Sequence, residues 1–118
     1  MKKISELFNV AGYGAVVTGG ASGIGLGLTE ALAVNGARVT LLDVHSKRIE
    51  DETKRLRAAG LDVRGKLVDV TDHEALDAAV DEAAREYGRL DVVCANAGID
   101  SGVGFVGSWV GSQRQRAL

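Results

Sequence analysis

The chain has 118 residues, a formal net charge of −2, 46% hydrophobic residues and 25% charged ones, the proportions of a globular domain. That charge argues against a general electrostatic pull toward nucleic acid, and a single cysteine, Cys94, excludes an intrachain disulfide and a zinc site built from cysteines. No apolar run approaches the roughly 18 residues of a membrane span, and Lys2 and Lys3 have no apolar block behind them, so neither a membrane partner nor a signal peptide is expected and a cytoplasmic location is.

The first element is Ala15-Val16-Val17-Thr18, a short β-rich run without polar alternation, as in a strand buried on both faces. Ile24, Leu28, Ala31 and Leu32 then recur at helical spacing, and Asn35-Gly36 supplies the stop. Arg38 to Asp43 reads as a second strand. Ser46 is placed to cap a second helix marked by Ile49, Thr53 and Leu56 and ended by Gly60. A weaker third strand runs from Val63 to Val68, with Gly65 interrupting it. Thr71-Asp72-His73-Glu74 has capping-box spacing, and Leu76, Ala79, Val80, Ala83 and Tyr87 follow on one helical face before Gly88. Leu90 to Ala95 is the fourth strand. This alternation predicts an α/β fold, a three-layer Rossmann-type parallel sheet of order 3-2-1-4 with helices on both faces. From Asp100 the pattern dissolves. Residues 1–100 are therefore expected to form a nucleotide-binding half-domain, and 101–118 a glycine-rich tail.

Thr18-Gly19-Gly20-Ala21-Ser22-Gly23-Ile24-Gly25 lies between the first strand and the first helix. A βαβ unit presents free backbone N–H groups and the positive end of a helix dipole there, and glycines let a pyrophosphate come close. The other reading is a tight turn without a ligand. Asp43 ends the second strand, where an acidic side chain accepts hydrogen bonds from adenosine ribose hydroxyls and repels a ribose 2′-phosphate, which selects NAD over NADP. Alternatively it caps the next helix.

These residues resemble the short-chain dehydrogenases/reductases of the classical type over about residues 10 to 100. The resemblance implies that Thr18, Gly19, Ser22, Gly23, Ile24 and Gly25 form the cofactor loop. It implies that Asp69 and Val70 contact adenine. Ala95-Asn96-Ala97-Gly98 is similar to the family's N-N-A-G motif, with Ala95 in place of the first asparagine, so Asn96, Ala97 and Gly98 would lie along the nicotinamide ribose. The implied cofactor is NAD(H), and the implied reaction is hydride transfer between it and an alcohol or carbonyl substrate.

The family's chemistry also needs a serine, and a tyrosine with a lysine four residues on. Tyrosine stands only at 13 and 87, followed at that distance by Val17 and Asp91, and the last lysine is Lys66. No catalytic residue is therefore assigned. The chain has no proline and looks like a truncated or frame-shifted cofactor-binding half, inactive alone. A non-catalytic dinucleotide-binding or interaction module is the alternative. Cys94 reads as core, His45 and His73 as surface, and no metal-ligand spacing is present. The fourth strand is expected to expose an apolar edge through which copies self-associate.

Overall fold

The computed structural model describes residues 9–96, so the expected tail and the positions of Ala97 and Gly98 lie outside the described residues. Four strands, β1 (Gly14–Thr18), β2 (Arg38–Asp43), β3 (Val63–Leu67) and β4 (Val92–Ala95), alternate with α1 (Gly23–Val34), α2 (Ser46–Ala58) and α3 (His73–Tyr87). All strand pairs are parallel, in the order β3-β2-β1-β4. Parallel neighbours need crossovers, and the three helices supply them. No helix among the described residues is long and apolar enough to cross a membrane.

Side-chain alternation along β1 divides the core. Ala15 and Val17 pack with Val39, Leu41 and Val63 against α1 and α2, while Val16 and Leu42 pack with Val68 against Leu76, Ala79, Val80 and Ala83 of α3. Each of the larger side chains contributes about 1.5–3 kcal/mol on burial. On the α3 side Tyr87 is buried, which pushes its hydroxyl up from its usual range, and it shares a 2.6 Å hydrogen bond with Thr40 that acts the other way. The face expected for α3 is the one it buries.

α1 differs from expectation. Its fully buried residues are Gly25, Thr29 and Ala33; of the four expected marks Leu32 packs against the core, whereas Ile24 is 76% and Leu28 37% exposed. The helix is apolar nearly all round, so its periodicity does not choose a face. Close approach to the sheet does, and that favours the small residues. Glu30 pairs with Arg55 of α2 and so marks the side of α1 that faces α2. Two caps also move. His45, not Ser46, flanks α2, with no side-chain cap. Asp72, not Thr71, caps α3 through Oδ1, which accepts the Ala75 N–H at 3.1 Å. Gly65 does not interrupt β3: a Cβ there would lie 2.4 Å from Ile49 Cγ2, so the bare backbone lets α2 settle on the strand.

Below the sheet, Asp91 joins β4 to β1 by accepting the Gly14 N–H at 2.9 Å and the Arg89 guanidinium at 2.7 and 2.8 Å. Arg89, with help from Gly14, holds the Asp91 carboxyl below its usual range. A folded-state value below the unfolded one stabilises the fold fully above about pH 4 and is lost as pH falls through the depressed value. Asp91→Asn should therefore be less stable than the parent at neutral pH and show a shallower loss between about pH 5 and 2. Urea unfolding at several pH values checks this. Parallel stability–pH curves would contradict it.

Candidate functional site

The C-terminal ends of all four strands meet at one end of the sheet, where open α/β sheets place ligand crevices. An open cleft of about 410 Å³ lies there, within the size range of small-molecule sites. Gly19, Ser22 and Ile24 form one wall and Leu42 to His45 another, while Val68, Val70 and Asn96 complete it.

The first wall is a loop folded back on the start of α1. Gly19 and Gly23 have φ of +63° and +55°, a region that L side chains enter only at a cost. A Cβ on Gly25 would lie 2.0 Å from the Gly19 carbonyl oxygen and 2.6 Å from Asn96 Nδ2. Gly25 thus allows loop, helix and the end of β4 to meet. Ser22 flanks α1 in extended conformation and spends no side-chain hydrogen bond on it, and the first turn carries no acidic residue. The first intrahelical bond runs from the Leu26 N–H to the Ser22 carbonyl. The N–H groups of Gly23, Ile24 and Gly25 precede it and are those a helix leaves for an anion.

Thr18 is buried under this loop. Its Oγ1 accepts the Asn96 N–H at 2.9 Å and donates to the Cys94 carbonyl at 3.4 Å, tying the end of β1 to the end of β4. Asp43 is 6% exposed. Its Oδ2 accepts the Ala21 N–H at 3.1 Å, and its Oδ1 accepts those of Val44 and His45 at 2.8 and 3.2 Å. The two roles considered for this aspartate are compatible, because it faces the cleft and also caps the turn into α2.

Of the residues singled out in the sequence, Gly19, Ser22, Ile24, Asp43, Val70 and Asn96 line the cleft. Thr18 and Gly25 are buried behind it, and Gly23, which is exposed, lies between two of the lining residues, Ser22 and Ile24. Asp69 is not in the lining: it is exposed, and its Oδ1 takes the Thr71 hydroxyl at 2.7 Å and the Thr71 N–H at 2.9 Å. These two bonds hold the Asp69 carboxyl below its usual range. Sequence reasoning missed Leu42, Val44, His45 and Val68. Their signal was adjacency: each lies within two residues of a predicted contact on a strand that ends at the cleft.

Both tyrosines lie at the other end of the sheet. Tyr13 precedes β1 and carries Arg89 over its ring at 5.0 Å. Tyr87 ends α3 and is 4% exposed. All of β1 lies between Tyr13 and Gly19, and its span from Gly14 to Thr18 is about 13 Å. Neither phenol reaches the cleft.

A family model described as short chain dehydrogenase matches residues 14–110. The chain is 43% identical over 91 residues to 1-deoxy-11-beta-hydroxypentalenate dehydrogenase of Streptomyces avermitilis, covering 77% of this chain and 34% of that protein. It is 47% identical over 85 residues to cis-4-hydroxycyclohexanecarboxylate dehydrogenase of Sinomonas cyclohexanicum, covering 72% and 34%. Among solved structures, a short chain dehydrogenase/reductase from Burkholderia phymatum in complex with NAD superposes with a TM-score of 0.70 at 32% identity, over 73% of this chain and 31% of that one. The chain spans about a third of the length of the curated relatives it matches. With the strand order, the loop after β1 and this match in agreement, the chain belongs to the short-chain dehydrogenase family.

Proposed function

We propose that the cleft binds a nicotinamide adenine dinucleotide, NAD(H) in preference to NADP(H), as the cofactor-binding part of a short-chain oxidoreductase. Asp43 carries this reading. A nearly buried carboxylate at the end of β2, inside the cleft, accepts a ribose hydroxyl in a charge-assisted hydrogen bond and repels a 2′-phosphate in the same place. The pyrophosphate would rest on the N–H groups of Gly23, Ile24 and Gly25, and adenine between Val44 and Val70. By resemblance to the family, Asp69 would contact adenine from outside the lining seen here, and Ala97 and Gly98 would follow Asn96 along the nicotinamide ribose. The NAD bound by the Burkholderia phymatum relative supports the cofactor class.

Residues 1–100 would act as this unit, with 101–118 distinct from it, in a cytoplasmic setting that keeps Cys94 reduced. The parent reaction would be hydride transfer between NAD(H) and an alcohol or carbonyl substrate. The alternative role, a module whose function is binding itself, is favoured by one observation: both tyrosines sit at the far end of the sheet. Binding without turnover is the expected behaviour of this chain alone. Enhanced fluorescence of bound NADH reports the first, and an oxidation assay with several secondary alcohols reports the second. Turnover that copurifies with the protein and vanishes on Gly19 substitution would overturn the expectation of inactivity. The self-partner proposed for the chain docks along β4.

A further inference from the structure

Three backbone N–H groups converge on the Asp43 carboxylate, two on Oδ1 and one on Oδ2. An ionised carboxylate offers about four lone-pair sites, so one remains for a ligand, on the oxygen that also holds Ala21. The preceding residue of the loop is tied to the same strand end, through the Gly20 N–H and the Leu42 carbonyl at 3.2 Å. Ala21 itself is 2% exposed in the core between sheet and helices, and Ser22, which flanks the start of α1, comes next. Where residue 21 is pinned therefore decides where α1 begins and where its free N–H groups aim.

We infer that Asp43 is a positioning residue for the glycine loop: its Oδ2 fixes the Ala21 N–H and so sets the start of α1, and the same oxygen is the one left to accept a single ribose hydroxyl. The ribose half of this inference rests on the dinucleotide reading above. The loop half does not. Asp43 accordingly does two jobs on two oxygens, holding the turn into α2 with Oδ1 and the loop with Oδ2. A substitution aimed at cofactor preference alone would also release the loop.

Hydrogen exchange resolved to single amides, on the cofactor-free chain, separates the two oxygens. Asp43→Ala removes both acceptors, so exchange at Ala21 and Val44 should both accelerate, by about tenfold or more. Asp43→Asn has one carbonyl oxygen, which satisfies the two N–H groups of Val44 and His45 and turns its NH₂ toward the Ala21 N–H. In that variant Ala21 should accelerate as much as in the alanine variant while Val44 stays protected. Asp43→Asn also keeps the buried shape, so it remains informative if the alanine variant fails to fold. NADH affinity should drop in both variants. Ala21 protected in either variant, or all amides of β2 and α2 accelerated alike, overturns the anchor. A parent chain that binds no dinucleotide but shows this exchange pattern would remove the cofactor reading and leave the anchor standing.

Discussion

Replacing Gly25 by alanine should destabilise the chain by about 3 kcal/mol and abolish dinucleotide binding. The added Cβ would lie 2.0 Å from the Gly19 carbonyl oxygen, which is backbone and cannot rotate away, and 2.6 Å from Asn96 Nδ2. Relief requires moving the loop off the helix or the end of β4 off the loop, and either movement opens the wall of the cleft. Gly27 supplies the control. It lies in the same helix, and a Cβ there meets nothing within 4 Å. Gly27→Ala should therefore stabilise by about 0.5–1 kcal/mol through helix propensity and a less flexible unfolded chain. Urea unfolding of the two variants beside the parent checks both signs. Equal stabilities for the two variants would mean that the contact between residues 19, 25 and 96 is not held in solution.

The second large effect concerns the sheet edges, which differ in kind. β3 carries Arg64 and Lys66, paired with Glu86 and Glu82 of α3, the sort of charged edge that discourages strand addition. β4 reads Val-Val-Cys-Ala, has no charge, and pairs with β1 alone among the described residues. Val92, Val93 and Cys94 are only half-buried and Ala95 is exposed, so Cys94 sits in a less enclosed strand than its apolar neighbours suggest. Because β4 has no second strand partner among the described residues, the proposed self-association would have a second copy add its own β4 there. Size-exclusion chromatography with light scattering should show dimers or larger species. Ala95→Lys, which adds a charge at the exposed end of that strand without entering the core, should shift them toward monomer. A monodisperse monomer with sharp, cooperative melting and no binding of a dye for apolar surface would contradict the proposal.

Most of the architecture was legible because strand and helix signals here agree with each other. The β1 and β2 runs lack polar alternation, which suits strands covered on both faces, and α3 pairs a strong apolar stripe with a stop at Gly88, whose φ is +72°. α1 was misread because glycine and threonine at 25 and 29 carry no hydrophobic signal. They are buried for closeness rather than for apolar area. Both shifted caps reflect the same limit, since several neighbouring polar residues compete and only backbone geometry chooses among them. In the site, the residues contributed through loop shape were readable as glycines, but the bonds that fix the loop were not. That Asp43 holds Ala21 follows from two segments 22 residues apart meeting at one strand end, which no local pattern records.

On the proposed reading the cleft binds NAD(H), and Asp43 makes it prefer NAD(H) to NADP(H). Calorimetric titration of the chain with NADH and then with NADPH, repeated on Asp43→Ala, tests it most directly. Saturable NADH binding at one site per chain is expected. NADPH should bind more weakly by about tenfold or more, as where one charge-assisted hydrogen bond is replaced by repulsion, and the gap should narrow in the variant. Equal affinity of the parent for both cofactors, or no binding of either, would contradict it.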